Sequence, residues 1–302
     1  MKTAVVILNY ANPELTERLA GSFLAFDSLD HIIVVDNFSP DNSFKRLSAL
    51  QGGKISVIRT DHNGGYGFGN NFGIRFAKEN FDPDFVFISN PDVMVEERTV
   101  KAMIAALEAN PSLAVAAPQM RYQDKDFIPT TAWRIPTLKS EILSSGIVFY
   151  KLFHNTGLLH FYTPAYIKNN GPLCYVDCVM GSFFAARTSA MLDAGLYDED
   201  FFLYCEESVL GYRLKQLGFQ SAILSDFSFV HFESATIDLI YKSTSAKKRL
   251  DFRSKKLFLK KYQRINFPER CLAHMIFGLW TLESMVFDVY TKVVMKIKKF
   301  KT

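Results

Sequence analysis

The hydrophobic pattern of the first 118 residues alternates between two periods. Mainly apolar runs of strand length occupy residues 5–8, 32–35, 55–58, 85–88 and 113–117. Between them apolar positions recur at helical spacing: Leu15, Leu19, Phe23 and Phe26 after the first run, and Val100, Met103, Ile104 and Leu107 after the fourth. Asn12-Pro13 opens the first of these helices, with Asn as cap and Pro at the first helical position, and Asn110-Pro111 closes the second. Strands alternating with helices predict an α/β fold whose mainly parallel sheet is covered on both faces.

The pattern then weakens. Residues 121–175 are rich in aromatics, Pro and Gly, which predicts long loops or a short two-stranded piece over a cleft. Regularity returns at 178–186, an apolar strand interrupted by Gly181-Ser182. A helix starting at Glu206-Glu207 carries Leu210, Leu214 and Leu217 on one face and stops at Gly218. Residues 222–224 and 227–230 read as short strands, the second ending at His231, and past Ser234 the chain turns helical and basic. The expected division is an α/β domain over 1–235 and a basic, partly amphipathic helical extension over 236–302.

Polar residues gather where the strands end. Asn9, Asp36, Asn63 and Asp92 all fall at carboxyl ends, the edge along which open α/β sheets bind ligands. The sharpest case is 85–93. Its apolar run stops at Ser89-Asn90-Pro91-Asp92, because Pro91 lacks an N–H and biases Asn90 away from helix. An amide and a carboxylate placed there suit a hard divalent cation carrying phosphates; a plain Asn-Pro-Asp turn is the alternative.

The Gly-rich stretch 63–73 is not a dinucleotide fingerprint. Its glycines follow the third strand, and the first strand–helix turn, Asn9-Tyr10-Ala11-Asn12, has none. As a loop it would let backbone approach a ligand, with Asn70 or Asn71 donating to phosphate or sugar oxygens; a flexible turn is the alternative. Glu206 and Glu207 stand at a helix start, where the macrodipole favours acids for structural reasons alone. The run Phe201-Phe202-Leu203-Tyr204 ahead of them would hold that start against the core. A half-desolvated carboxylate binds protons more tightly and suits a general base. His231, at the end of an apolar run, reads either as a hydrogen-bonded structural residue or as a ligand for a divalent metal.

Composition narrows the field. A net charge of +4 makes no case for nucleic acid. Cys174, Cys178, Cys205 and Cys271 form no C-x-x-C pair and fit buried thiols in a reducing compartment. The first apolar run is too short for a signal peptide, and no uncharged apolar stretch is long enough to span a bilayer, so the expected location is cytoplasmic. The apolar stretch 271–291, interrupted by Glu283 and Asp288, is followed by Lys292, Lys296, Lys298, Lys299 and Lys301 and preceded by Lys247, Lys248, Arg249, Arg253, Lys255 and Lys256. It reads as a membrane-surface element at the inner face of the plasma membrane, or as a helix packed on its own domain or in a homodimer.

Taken in order, several of these stretches resemble the family 2 glycosyltransferases, inverting enzymes of the GT-A fold, in their rhamnosyltransferase-like bacterial branch. The matching residues are Val34-Val35-Asp36-Asn37-Phe38-Ser39, then 63–74, Ser89-Asn90-Pro91-Asp92-Val93, Val176-Asp177-Cys178-Val179-Met180-Gly181-Ser182, 195–213 and Val230-His231. The resemblance covers about residues 3–260. It implies an enzyme moving a sugar, rhamnose from dTDP-rhamnose in the first instance, to a glycan or lipid-linked saccharide acceptor. A UDP-sugar-dependent transferase and a non-catalytic sugar-nucleotide or glycan-binding homologue are the alternatives.

By the same resemblance Asn9, Asp36, Asn37, Asn63, Gly65, Asn71, Asn90, Asp92, Gly181 and Ser182 surround the nucleotide-sugar, with Asp36 at the nucleobase or ribose. Asp92 and His231 hold Mg²⁺ or Mn²⁺, and Glu207, with Glu206 as the other candidate, is the general base. The chain departs from the family pattern at four places. Asn90 replaces the first acid of the D-x-D motif, Glu207 replaces an Asp, Val209 stands where many relatives have another Asp, and Cys178 often corresponds to Trp.

Overall fold

The structure, a computed structural model, describes residues 1–122, 131–154, 159–232 and 243–299, with side-chain detail ending at Thr291. The boundary expected at 235/236 lies outside the described residues, as do the side chains of the tail lysines from Lys292 onward. The chain forms two compact units. One comprises Met1–Ile135, Phe161–Phe202 and Glu206–Thr236; the other comprises Pro136–His160, Leu203–Cys205 and Ile237–Thr302.

The first unit opens with β1 (Thr3–Asn9), α1 (Pro13–Leu24), β2 (His31–Asp36), α2 (Ser43–Leu47), β3 (Ile55–Arg59), α3 (Tyr66–Asn80), β4 (Phe85–Ser89), β5 (Val93–Met94), α4 (Glu97–Ala109), β6 (Leu113–Arg121) and β7 (Ala132–Trp133). In the second unit, α5 (Leu138–Ser145) and α6 (Ile147–Phe153) come next along the chain. The first unit resumes with α7 (Pro164–Asn169), β8 (Leu173–Val176), β9 (Cys178–Val179), β10 (Phe183–Arg187), α8 (Thr188–Asp193), α9 (Glu206–Gln216) and β11 (Gln220–His231). The second unit ends with α10 (Thr244–Lys261) and α11 (Phe267–Lys299).

The main sheet of the first unit runs β3-β2-β1-β4-β10-β6-β11-β5, with β8 also paired to β11. β3, β2, β1 and β4 are mutually parallel, as the strand–helix alternation predicts. β10 enters antiparallel between β4 and β6, which makes the whole sheet mixed. Alternate residues divide between two cores. Ala4, Val6, Ile33, Val35, Val86 and Ile88 face one side with Ile74, Ala77, Leu210 and Leu214. Val5, Ile7, Ile32, Val34, Phe85 and Phe87 face the other with Leu19, Phe23, Val100 and Met103. A period of two with both faces buried accounts for the nearly unbroken apolar runs.

Three expectations change. The Gly-rich stretch is a loop only through Gly65; Tyr66 begins α3, and Gly67, Gly69 and Gly73 lie inside that helix. The reason is close packing. A Cβ at Gly69 would sit 2.4 Å from Leu8 Cδ1, and one at Gly73 2.5 Å from Val6 Cγ1. The short strands read at 222–224 and 227–230 are one strand, β11, with a register shift between Leu224 and Ser228. The weakly periodic stretch 121–175 contains α5, α6, α7, the start of β8 and β7, which forms the two-stranded piece with β9 just beyond it. Those helices are too short to show a clear period.

In the second unit Phe252 of α10 stacks on Phe277 of α11, with ring centroids 4.9 Å apart. Lys255 of α10 lies 3.0 Å from Glu141 of α5 and 3.2 Å from Asp251, and these two carboxylates hold its ammonium protonated well above its ordinary range. Phe267–Thr291, within α11, contains an 18-residue window of mean hydropathy 1.2 and is long and apolar enough by composition to cross a membrane. That amends the expectation of no such stretch, since the single continuous helix tolerates the two acids within it.

Candidate active site

At the carboxyl edge of the first unit's sheet, the end of β4 meets the turn before β10. Asn90 donates its backbone N–H to Ser182 O at 2.8 Å. Two residues on, Asp92 is almost fully buried, and its Oδ1 lies 3.1 Å from His231 Nε2. Backbone pairing fixes that approach. Val93 of β5 pairs with His231 of β11, and Phe232 N donates to Asp92 O at 2.9 Å. The register of a short antiparallel pair therefore delivers carboxylate and imidazole to one place.

On the other side of the same turn, Gly181 N donates to Glu207 Oε1 at 3.2 Å, and Gly181 O accepts from the Tyr66 hydroxyl at 2.6 Å. Glu207 stands in the first turn of α9, where helix N–H groups are unsatisfied and a carboxylate is favoured. Behind it lie Val115, Val179, Phe184 and Leu210, which line a small void. Burial against these groups pushes the Glu207 carboxyl above its ordinary value of 4.5, partly offset by the backbone N–H groups at Glu207 and Gly181. Desolvation and the neighbouring carboxylates push the Tyr66 and Tyr197 hydroxyls well above 10. Both phenols thus stay protonated beside Glu207. Immediately before α9, Tyr204 and Cys205 both have φ of +71°, a conformation costly for residues with a Cβ. Glu206, at the first helical position, is buried.

The β1–β2 end of the edge is a dense polar network. Asp36 is fully buried and accepts from Asn9 Nδ2 at 2.9 Å, Ser39 Oγ at 2.5 Å and Ser39 N at 3.2 Å. Arg59 Nε lies 3.2 Å from Asp36 Oδ2, the oxygen that also takes Ser39 N–H, and the Arg59 guanidinium sits 4.8 Å and 5.2 Å from the ring centres of Phe38 and Phe44. Asn37 donates to Asn63 Oδ1 at 3.1 Å and to Gly65 O at 3.0 Å. Asn71 takes part in neither of these bonds. Its amide, buried within α3, bonds the backbone of Tyr197 through both N–H and C=O and also reaches Glu199.

The structure therefore brings Asn90, Asp92, Gly181, Ser182, Glu207 and His231 into one linked group, and Asn9, Asp36, Asn37, Asn63 and Gly65 into another. Ser182 turns its hydroxyl to Met120 Sδ at 3.6 Å. Sequence reading passed over Tyr66 and Arg59. The second was accessible, since β2 and β3 end in register with Asp36 opposite Arg59. For a divalent ion the donor set fits. One carboxylate and one imidazole stand 3.1 Å apart, about the spacing of neighbouring ligands on an octahedral ion with bonds of about 2.1 Å. Among the described residues no group of three or more His, Cys, Asp or Glu is placed to hold a metal, so water or the oxygens of a bound ligand would complete the shell.

Residues 4–189 match the sequence model of the family described as Glycosyl transferase family 2. A low-salt glycan biosynthesis hexosyltransferase of Haloferax volcanii is 25% identical over 290 residues, 94% of this chain and 85% of the relative. An N-acetylglucosaminyl-diphospho-decaprenol L-rhamnosyltransferase of Mycobacterium tuberculosis is 25% identical over 246 residues, 75% of each chain. Among solved structures, a mannosyltransferase of Pyrobaculum calidifontis in complex with GDP-Man and Mn²⁺ superposes with a TM-score of 0.60 at 13% identity, over 97% of this chain and 75% of that one. That last likeness is one of fold.

Proposed function

This chain belongs to glycosyl transferase family 2 and is a glycosyltransferase of the GT-A fold, and from that premise we propose that it transfers rhamnose from dTDP-rhamnose to a hydroxyl of a glycan or lipid-linked saccharide, with inversion. One observation carries the reading. The Asp92–His231 pair and Glu207 are joined through two adjacent residues, since Asn90 bonds Ser182 and Gly181 bonds Glu207. A group that holds a diphosphate and a group that takes a proton thus share one rigid turn.

In the proposed reaction Glu207 accepts the proton of the acceptor hydroxyl as that oxygen attacks the anomeric carbon. The bond from this carbon to the diphosphate breaks on the opposite face, and the nucleoside diphosphate leaves with the bonding pair. Mg²⁺ or Mn²⁺ held by Asp92 and His231 supplies, when bound, neutralisation of the diphosphate charge. Gly181 N–H keeps the Glu207 carboxylate aimed, and the apolar wall behind it keeps its proton affinity high enough to act as a base. Asn9, Asp36, Asn37, Asn63 and Gly65 form the nucleoside end. The mycobacterial relative, a rhamnosyltransferase by name, supports rhamnose over other sugars.

A donor-hydrolysis panel of dTDP-rhamnose, UDP-glucose, UDP-N-acetylglucosamine and GDP-mannose tests this. The expected result is at least tenfold preference for dTDP-rhamnose, lost in Glu207→Gln. Preference for a UDP-sugar favours the second donor class, and nucleotide binding with no turnover of any donor favours a binding protein.

A further inference from the structure

We propose that the second unit carries a peripheral membrane-binding face, in which one stripe of α11 inserts in the plane of an anionic lipid surface. This goes beyond the transferase reading and does not depend on it. The stripe is Leu272, Met275, Leu279, Leu282, Val286 and Val289, all exposed, from 40% at Leu272 to 70% at Val286. Exposed Val148 and Leu152 of α6 extend it. α6 is set beside α11 by Phe149 against Trp280, at 5.6 Å between ring centres, and by Lys151 over Phe287 at 5.4 Å. An apolar surface of this extent on a soluble protein marks an interaction site.

The opposite face of α11 is committed to protein. Ala273, Phe277 and Ser284 are buried, and Trp280 Nε1 donates to Ile142 O at 3.1 Å. The two acids that interrupt the apolar sequence are turned away from the stripe. Glu283 takes the N–H groups of Ile147 and Val148 at 2.7 and 3.0 Å, capping α6. Asp288 takes those of Thr244 and Ser245 at 2.9 and 3.0 Å, at the start of α10. The exposed face is thereby stripped of negative charge. A helix with one face packed on its own unit is suited to lie in the interface and not to cross it.

Charge selects the partner. The second unit holds 18 Lys and Arg against 6 Asp and Glu, a balance of +12, while the first balances at −8. Basic flanks beside an apolar helical face attract anionic headgroups, each cation adding to the attraction near the surface. A second copy of the chain is the competing occupant, since the stripe alternates spacings of three and four as a helix-pairing seam does. Pairing would bring two units of +12 together. Of the positions flanking the seam, Cys271, Ile276, Gly278, Met285 and Tyr290 are uncharged, Glu283 is taken up by the start of α6, and Lys292 adds to the positive charge, so none offsets this.

Co-sedimentation of the full chain with vesicles of phosphatidylcholine alone, or mixed two to one with phosphatidylglycerol, tests the proposal. Pelleting with the anionic vesicles only, reversed by high salt, is expected. Leu279→Glu combined with Val286→Glu, both at exposed positions, should lower apparent affinity at least tenfold with an unchanged melting temperature. No pelleting of the unaltered chain, or equal pelleting of the double variant, overturns it. So does release by detergent but not by salt, which would indicate a spanning helix. A dimer in lipid-free sedimentation that the double variant abolishes, without lipid binding, would assign the stripe to a second copy.

Discussion

The backbone N–H of Gly181 reaches Glu207 Oε1 at 3.2 Å, and a Cβ placed on Gly181 would lie 2.5 Å from that same oxygen. The two residues are 26 positions apart and meet because α9 packs on β9, the short strand just ahead of Gly181. A side chain at 181 would therefore displace the carboxylate it now holds. The glycine is required by the approach and not by its backbone angle.

Gly181→Ala should accordingly lower kcat by about 10²-fold, the scale on which a displacement of about 1 Å at a reacting group acts. Melting temperature should change little, because the atom in the way is the far end of a flexible side chain and not backbone. Initial-rate kinetics with the preferred donor check this. A variant with unchanged kcat would detach Gly181 from the proposed base.

Much of this was legible beforehand. The alternating strands and the Asn90-Pro91-Asp92 stop are local features, readable from apolar period and from proline's missing donor. What escaped reading depends on contacts between distant segments. The glycines of α3 looked like a loop because only the sheet beneath shows why a helix needs them: Gly69 and Gly73 admit Leu8 and Val6. β10 lies antiparallel between β4 and β6 through a long-range crossover that no local pattern encodes. The bonds that commit Asn71 to Tyr197 and Glu199 span more than a hundred residues, so nothing near it in sequence distinguishes its amide from a ligand-facing one.

The Glu207 carboxyl, raised by burial, gives a pH signature. A general base works deprotonated, so kcat/KM should fall as pH drops through the raised value, placing the acidic limb above the ordinary 4.5. Glu207→Gln should remove that limb and about 10²- to 10⁴-fold of the rate. The same shift has a stability consequence of opposite sense to a salt-bridged acid. Its folded-state pKa is raised, so the contribution is fully present below 4.5 and lost as pH rises through the folded value. Melting temperature against pH for the parent and Glu207→Gln measures it.

Asp92 and His231 should act as a pair toward the divalent ion. EDTA is expected to abolish turnover, and Mn²⁺ or Mg²⁺ to restore it. Asp92→Ala should remain inactive at any metal concentration, while His231→Ala should raise the half-activating concentration about 10- to 100-fold, the usual cost of weakening a metal's ligand set. Metal titration of donor hydrolysis separates the two. Full activity of Asp92→Ala in EDTA would leave no place for the metal in this site.

Gly65 tests the other end of the edge. Its φ is +96°, and a Cβ there would meet Phe202 O at 2.1 Å. The neighbouring bonds make that approach hard to relax. Tyr66 N donates to Phe202 O at 2.9 Å, Gly65 N to Asn63 Oδ1 at 3.1 Å, and Asn37 to Gly65 O at 3.0 Å. Gly171, with φ of +87° and open space around it, carries the backbone strain without the collision. Gly171→Ala should therefore cost about 1 kcal/mol. Gly65→Ala should cost about 2–3 kcal/mol or more, because clash and strain add. At about 2–4 °C per kcal/mol for a chain of this size, the two variants should separate clearly in a thermal melt. Donor affinity should weaken in Gly65→Ala alone, since only there does the loop bearing Asn63 have to move. Equal melting temperatures for the two variants would mean that the Gly65–Phe202 approach relaxes freely.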